Sequence, residues 1–180
     1  LQLITSVANW EQTKLLGIGL GTLDENCFFL LSSNKELPDS IRKVLADQEI
    51  IKCGHDLKKQ LQIAYNSGIS IQGRLEDTLI AAYLVNAGLG SLELEELGAS
   101  YLQRIVPAWK NDRGKVFSIF SLPEGLPVKV LADITGGRLE AIRQLKNKLA
   151  EILSGSALEK LYREVELPLI KALFNMEKEG

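Results

Sequence analysis

Hydrophobic and polar positions change their spacing along the central part of the chain, residues 50–88. The apolar run Ile50–Cys53 predicts a short buried strand. Apolar residues then recur at intervals of three and four, which predicts one helical stripe. That stripe consists of Leu57, Leu61, Ala64 and Tyr65. A short extended piece at Ile69–Ile71 follows, and Glu76–Thr78 opens a second helix. Strand, helix, strand and helix in this order predict an α/β fold.

The segments on either side extend this pattern. Three strands are predicted before the central region, at Leu1–Val7, Leu15–Leu20 and Cys27–Leu31. We expect them to form one central mixed sheet with Ile50–Cys53, with helices on its faces. The predicted helices are Asp39–Ala46, one capped by Ser91, one over about Pro127–Leu153 with a weak point at Gly136–Gly137, and Ala157–Glu179. Residues Ala108–Pro123 are predicted to form a loop.

Composition limits the possible functions. With 46% hydrophobic and 24% charged residues, the chain of 180 residues can bury a sizeable core as one domain. The net charge of −2 argues against a strong general attraction to nucleic-acid phosphates. His55 is the only histidine, so no zinc site with several histidines can be assembled. No run of eighteen apolar residues and no secretory signal is found, which predicts a cytoplasmic protein without a membrane partner.

Five runs of the sequence carry a resemblance to a known family. The runs KCGHDLKKQ, GISIQG and DTLIAAYLVN resemble the second-motif region of the 3′→5′ exonuclease domain of DNA polymerase I, a family A DNA polymerase. The run SLELEELGASYL resembles the helix that follows in that family. Residues Glu166–Gly180 resemble the junction at which family A polymerases pass into the polymerase domain. The resemblance implies a ribonuclease H-like fold with a helical C-terminus. It also implies an exonuclease-like domain over residues 1–165 and a junction over residues 166–180 of a longer chain.

The same resemblance places the family's metal-binding carboxylates on residues of other types. The first-strand pair falls on Ile4 and Ser6, the second motif on Gln60 and the third motif on Ile134. Two-metal phosphodiester hydrolysis needs several carboxylates around two divalent cations about 4 Å apart. Magnesium prefers hard oxygen ligands, which alkyl side chains do not supply. We therefore expect no catalytic residue and no metal or other cofactor in this domain, and magnesium only in the polymerase domain.

Four neighbouring carboxylates, Asp56, Glu76, Asp77 and Asp133, offer an alternative metal site. Asp56 is better explained as a helix cap, since an acid at a helix start accepts from free N–H groups. Glu76 and Asp77 likewise mark the start of a helix. Asp133 precedes Ile134, and one residue along a helix points about 100° away. A relocated metal site is therefore the less favoured reading.

Two further motifs have a structural and a functional reading. Lys110, Arg113 and Lys115 are candidate DNA contacts, although exposed basic residues usually form a solvated face. Trp109 beside them could stack on a base or fill a local core. Gly17, Gly19 and Gly21 are typical of a tightly packed strand, because a dinucleotide-binding turn would open a helix.

The resemblance implies a non-catalytic exonuclease-like domain without proofreading, which supports the polymerase module in DNA replication and repair. Its partners would be the polymerase domain of the same parent chain and, through the parent, DNA. The parent would be a DNA-directed DNA polymerase. Two alternatives stay open: an active metal-dependent 3′→5′ exonuclease with relocated ligands, and a protein-docking module. The last predicts an exposed apolar patch of Leu167, Ile170, Leu173 and Phe174.

Overall fold

The structure is a computed structural model that describes residues 1–5, 15–22, 24–30, 37–110, 114–119, 122 and 125–179. For Ile4, Phe29, Leu30 and Val116 it describes the backbone alone. The elements in chain order are β1 (Gln2–Thr5), β2 (Leu15–Gly21), β3 (Asn26–Leu30), α1 (Asp39–Ala46), β4 (Lys52–Gly54), α2 (Leu57–Asn66), β5 (Leu75–Asp77), α3 (Thr78–Val85), α4 (Leu94–Leu102), β6 (Trp109–Lys110), β7 (Val116–Phe117), α5 (Val128–Leu153), α6 (Ala157–Leu161), a π-helical segment (Tyr162–Glu166) and α7 (Leu167–Glu179).

The strands form separate ladders. β1, β2 and β3 pair antiparallel in that order, with Leu3 opposite Ile18, and β4 pairs parallel with β5. The two ladders meet where the Leu1 nitrogen donates to the Cys53 carbonyl over 2.7 Å. The predicted single mixed sheet is therefore corrected: the structure has an antiparallel ladder and a separate parallel pair. Because β1 is the strand of the antiparallel ladder next to β4, it contacts α2 and α5, which follow β4 in the chain.

Helices cover both faces of this sheet. On one face the core contains Leu3 and Ile18 together with Leu45 of α1 and Leu57 of α2, and Ile170 of α7 closes it. On the other face α5 packs over β2 and β3, and its residues Leu145 and Leu149 join α3 and α4. The core is therefore layered as helices, sheet and helices, as expected for an α/β fold.

The long helix α5 is continuous through Gly136–Gly137, so the predicted weak point is wrong. Gly137 serves a close approach: a Cβ there would lie 2.4 Å from Cγ of Pro107. Gly19 of β2 does the same, since its Cβ would lie 2.1 Å from Cγ2 of Thr135. The glycines thus bring α5 close to its neighbours, and the tight-packing interpretation of Gly19 is confirmed.

The C-terminal helix contains one irregular turn. The Leu167 amide donates to the Tyr162 carbonyl, five residues back, which is the π-helical pattern. Pro168 follows, and a proline cannot donate to the carbonyl four residues earlier, so a regular turn there would lose a hydrogen bond. Further along, Lys171 donates to the Gly73 carbonyl over 2.6 Å and fixes α7 to the loop before β5.

Several predicted boundaries are corrected by the structure. Ile50 and Ile51 are exposed and precede β4, so the buried strand begins only at Lys52. Glu76 lies in β5, whereas Asp77 both ends β5 and caps α3, so the predicted helix start is confirmed at Asp77 and Thr78. Glu93, not Ser91, precedes the first turn of α4. Part of the predicted loop 108–123 forms the β6–β7 hairpin. Among the described helices, none combines the length and apolarity needed to cross a membrane.

Candidate functional site

Gln60 lies at the centre of the site that the motifs define. Its side chain is fully buried between α2 and β1. The amide oxygen Oε1 accepts from the Leu3 N–H over 3.0 Å, and the amide nitrogen Nε2 donates to the His55 carbonyl over 2.8 Å. A carboxylate of the same shape could accept the first hydrogen bond but could not donate the second. The position therefore favours a neutral amide.

The other three motif positions are placed as follows. Ile134 of α5 is buried in an apolar cluster with Ile119, Leu122 and Leu131. The backbone of Ile4 lies in β1 opposite Gly17, next to Leu3. Ser6 lies outside the described residues. The structure therefore brings Gln60 against β1, and α5 also contacts β1. An amide and an alkyl side chain do not fit magnesium, which needs charged oxygen ligands to hold two ions.

The acid at the start of α2 is a helix cap, as predicted. Asp56 has left-handed backbone angles, with φ 56°, and its carboxylate accepts from the Lys59 N–H over 3.4 Å. Aspartate and asparagine tolerate this backbone region better than most residues. Its carboxylate thus caps the first turn of α2 and lines a pocket at the start of that helix.

Asp77 is the acid that sequence reasoning underestimated. It is buried, and its carboxylate accepts from the amides of Asp56, Leu57 and Leu79 over 3.2, 2.6 and 2.8 Å. Burial raises the pKa of this carboxyl to about 6, against the opposing effect of the backbone hydrogen bonds. Asp77 therefore joins the start of α2 to the start of α3.

The remaining acids point elsewhere. Glu76 lies 3.0 Å from Nζ of Lys146 and forms an ion pair with it. Asp133 is exposed on α5, one position before the buried Ile134. Within the described ranges, no three His, Cys, Asp or Glu side chains gather as a metal site requires.

His55 is held in the core by its neighbours. Nδ1 of His55 lies 3.0 Å from the Thr78 hydroxyl oxygen, and that oxygen lies 3.1 Å from the Gly54 carbonyl oxygen. Burial, with the Arg138 guanidinium as a second cause, lowers the pKa of His55 to about 3. His55 is therefore neutral near pH 7 and holds the β4–α2 turn in place.

A small polar pocket of about 140 Å³ lies at the start of α2 and was not predicted. It is lined by Gln2, Asp56, Lys59, Glu93 and Arg138, among others. Arg138 is buried and forms an ion pair with Glu95. The sequence offered one signal for this pocket: Gln2, a polar residue, stands between Leu1 and Leu3 in a predicted strand.

The basic residues proposed for DNA contact lie partly on the β6–β7 hairpin. Lys110 is exposed on β6, and Nζ of Lys115 lies 5.1 Å from the centre of the Phe117 ring. Arg113 lies outside the described residues. Trp109 packs edge-on against Phe117, with ring centres 4.8 Å apart. The Trp109 ring is therefore used in local packing.

The C-terminal helix turns a different face outward from the one predicted. Ile170 is buried, and Leu167 and Phe174 pack against the core, so three of the four predicted patch residues face inward. The exposed apolar residues form another line, which we call the outer stripe. It consists of Leu161, Val165, Leu169, Leu173 and Met176, with exposed fractions from 36% to 69%. Their spacing of three to four residues places them along one side of the helix.

Comparison with known proteins supplies the family context. The family model described as DNA polymerase I, ribonuclease H-like domain, matches residues 1–108. DNA polymerase I of Caldicellulosiruptor bescii is 29% identical over 168 residues, which cover 87% of this chain and 16% of that protein. DNA polymerase I of Bacillus subtilis is 25% identical over 173 residues, which cover 96% of this chain and 19% of that protein. The chain thus spans less than a fifth of the length of these relatives.

Solved structures confirm the expected fold. Brucella melitensis NrnC bound to pGG has a TM-score of 0.78 at 18% identity, over 99% of this chain and 83% of that one. The POL domain of Pol1 from M. smegmatis, in complex with DNA primer-template and dNTP, has a TM-score of 0.71 at 22% identity. That match covers 98% of this chain and 28% of the other. At these identities the likeness concerns the fold.

Proposed function

Because the chain belongs to the family of DNA polymerase I ribonuclease H-like domains, we propose that it is a non-catalytic member of that family. In this proposal it is an exonuclease-like domain without proofreading that supports the polymerase module of a family A DNA polymerase. The parent chain is the DNA-directed DNA polymerase, active in replication and repair in the cytoplasm. Magnesium belongs to the polymerase domain, and this domain needs no cofactor.

The hydrogen bonds of Gln60 are the observation that carries the proposal. Both halves of its amide are satisfied by backbone groups of Leu3 and His55. A ligand to magnesium must instead present a charged oxygen to the ion, with its lone pairs free. Gln60 therefore stabilises the contact between α2 and β1 at the position where the family binds a metal.

The burial of Ile134 supports the same conclusion. Its side chain packs with Leu131 and Leu122. Clustered carboxylates repel one another unless metals offset their charge. An apolar residue removes that repulsion and adds buried apolar area, which stabilises the contact of α5 with its neighbours.

The C-terminal helix supports the architectural part of the proposal. Its inner face is fixed to α2, where Lys58 and Glu177 form an ion pair of 2.7 Å and the Tyr65 and Phe174 rings meet edge to face. Its outer stripe is exposed. Contiguous exposed apolar residues on a folded domain commonly mark a protein interface. We assign the outer stripe to the polymerase domain of the same chain. The domain then meets DNA through the parent chain, and Lys110, Arg113 and Lys115 are its own candidate contacts with DNA.

Degradation of DNA tests the loss of catalysis. The purified chain is incubated with a single-stranded oligonucleotide labelled at its 5′ end, with magnesium or manganese, beside an active 3′→5′ exonuclease. We expect no shortening of the oligonucleotide. Shortening that disappears in the Asp56→Asn variant would overturn the proposal and favour the relocated-ligand nuclease. Shortening that persists in that variant would identify a contaminating nuclease, which a second purification from a different expression host would remove.

Binding to a separately expressed family A polymerase domain tests the architectural role. We expect association that is lost in the Leu169→Lys/Met176→Lys variant. The matched control is Lys148→Ala/Glu151→Ala, which changes an exposed ion pair on α5 away from the outer stripe. Equal binding by both variants would exclude the outer stripe as the docking surface. Circular dichroism confirms that each variant is folded.

A magnesium-dependent nuclease with relocated ligands is the second candidate. Asp56 and Glu93 line the same polar pocket at the start of α2, the helix that carries Gln60. NrnC, a fold neighbour, has been solved with bound Mg2+. Calorimetric titration with magnesium separates the two candidates, since saturable binding that Asp56→Asn abolishes would favour the nuclease.

A further inference from the structure

A pocket of about 660 Å³ lies between the C-terminal helix and strand β5. The helix contributes Arg163, Leu167 and Lys171, whose spacing of four residues makes them neighbours along one side of it. The opposite wall is formed by residues 72–76, the segment that leads into β5 and begins it. We call this cavity the basic pocket.

Two arginines bring donors to the basic pocket. Arg74 is exposed, and its guanidinium has no hydrogen bond or ion pair with any residue that the structure describes. Nε of Arg163 donates to Glu159 over 3.2 Å, and Nη1 lies 4.0 Å from Glu76. Among the described residues that line the pocket, Glu76 is the only acid, and it lies closer to Lys146, at 3.0 Å. A guanidinium binds phosphate well, because its parallel N–H groups match two phosphate oxygens.

Lys171 adds a third positive charge to the pocket. Its ammonium donates to the Gly73 carbonyl over 2.6 Å, which uses one of its three N–H groups. The charge of Lys171 is also felt by Lys52: burial lowers the pKa of Lys52, Asp47 raises it, and Lys171 lowers it further. A cleft in which one sign of charge dominates concentrates ions of the opposite sign. The basic pocket therefore attracts an anion.

The backbone of β5 supplies a neutral donor on the same side. The Arg74 carbonyl accepts from the Lys52 N–H and therefore faces β4. The backbone groups of Asp77 face the other way, toward the phenol of Tyr162. Because backbone groups alternate sides along a strand, those of Leu75 also face away from β4. The Leu75 N–H is thus directed to the side of β5 on which the C-terminal helix and the basic pocket lie.

Part of the lining is apolar. Ile51, Leu75, Leu167 and Pro168 border the pocket, and Ile51 is 41% exposed, so a ligand can still cover it. Pockets of several hundred Å³ that bind small molecules combine apolar walls with a few polar groups that fix the orientation of the ligand. An isolated phosphate ion would leave the apolar wall uncovered, so the lining favours a phosphate with an organic part.

From these observations we propose that the basic pocket binds a small phosphorylated molecule that also has an apolar part. Its phosphate accepts from the two arginines and the Leu75 N–H, beside the Lys171 ammonium, and its apolar part covers Leu167 and Pro168. Lys171 and Leu169 of the outer stripe are two residues apart, which places them about 200° apart around the helix. A ligand in the basic pocket therefore leaves the outer stripe free, whatever docks there.

Titration with phenyl phosphate tests this site, since the compound joins a dianionic phosphate to an apolar ring. Calorimetry in a phosphate-free buffer compares it with inorganic phosphate and with phenol. We expect one saturable site for phenyl phosphate, weaker binding of inorganic phosphate and no binding of phenol. In NMR spectra the Leu75 amide should shift along the same titration curve, because its N–H donates to the phosphate.

The Arg74→Gln variant removes one cation from the pocket. Because the Arg74 side chain is exposed, we expect the variant to fold, as circular dichroism will check. Loss of a hydrogen bond to a charged group should weaken phenyl phosphate binding about tenfold. Lys148→Gln is the matched control, since it removes an exposed cation from α5 and should bind as the unaltered chain does.

Three results would overturn the proposal. They are the absence of saturable phenyl phosphate binding, equal affinities of the Arg74→Gln and Lys148→Gln variants, and binding of phenol as tight as that of phenyl phosphate. Amide shifts at Asp56 and Gln60 in place of Leu75 would also contradict it, since the ligand would then lie at the motif site.

Discussion

The phenol of Tyr162 exchanges two hydrogen bonds with the backbone of Asp77. It accepts from the Asp77 N–H over 2.9 Å and donates to the Asp77 carbonyl over 3.1 Å. These groups lie on the edge of β5 that faces away from β4. The Lys171 ammonium donates to the carbonyl of Gly73, which lies two residues before Leu75. The C-terminal helix thus closes an edge that could otherwise pair with another chain.

Replacing Tyr162 by phenylalanine should destabilise the fold. The variant leaves a buried N–H and a buried carbonyl without their partner, which costs about 1–3 kcal/mol. Urea unfolding measures the change. Tyr83→Phe is the matched control, because Tyr83 is half-exposed on α3 and should lose almost nothing. Equal effects of the two substitutions would contradict the role of the Tyr162 hydroxyl.

A glutamate at position 60 should be tolerated only at low pH, where its carboxyl is protonated. Gln60→Glu keeps the side-chain length but presents a carboxylate to the His55 carbonyl, which only a donor can satisfy. Breaking a buried polar arrangement in this way costs about 3–5 kcal/mol. Burial raises the pKa of such a carboxyl, so protonation on acidification restores a donor and part of the stability. When the pH is lowered from 7 to 5, the urea midpoint of the variant should therefore move closer to that of the unaltered chain. A constant difference would show that the site is open to water.

His55 and Asp77 should give opposite contributions to the pH dependence of stability. The pKa of His55 is lowered to about 3, so the unfolded chain binds a proton that the folded chain does not, and stability falls as pH drops below about 6.5. The pKa of Asp77 is raised to about 6, so the folded chain holds the extra proton and stability rises on acidification through that value.

The His55→Asn variant separates these two contributions. Without the histidine, stability should fall less between pH 7 and pH 5 than in the unaltered chain, as measured by urea unfolding at each pH. Parallel profiles for the two proteins would show that His55 binds its proton equally well in the folded and the unfolded chain.

Adjacent glycines in α5 should respond oppositely to alanine. A Cβ on Gly137 would collide with the Pro107 ring, and overpacking of this kind costs about 1–3 kcal/mol. A Cβ on Gly136 meets no atom within 4 Å, and alanine in a compatible helix position stabilises by about 0.4–1 kcal/mol. Thermal unfolding of Gly136→Ala and Gly137→Ala measures both. Destabilisation of both variants would indicate that α5 is strained at this point.

The order of elements and the cap at Asp56 could be predicted because they depend on local signals. Helical spacing, a capping acid and strand-like runs are each contained in a few consecutive residues. The exposure of Ile50 and Ile51 could not be predicted, since it depends on whether a neighbouring strand covers them. The approach of Pro107 to Gly137 was missed for a similar reason: it joins segments about thirty positions apart, and the glycine pair alone suggested a break.

The polar part of the site was only partly predictable. Gln60 was identified through the family motif, but one of its two hydrogen bonds depends on Leu3, more than fifty residues away. Asp77 looked like a helix start, which it is, yet its contacts with the start of α2 are a tertiary feature. Gln2 and Arg138 had no motif at all. Side chains whose partners come from distant segments leave little signal in a single sequence.

The π-helical segment determines which side of α7 meets the rest of the domain. Apolar residues occur on both sides of that helix, with Ile170 inside and Leu169 outside, so the pattern alone does not choose between them. One residue fewer between Tyr162 and Leu167 would turn α7 by about 100° relative to α6. The irregular turn thus sets the rotational phase of the helix. A single-residue deletion there would rotate α7 about its own axis, so that a different side of the helix would face the core and a different side would face outward.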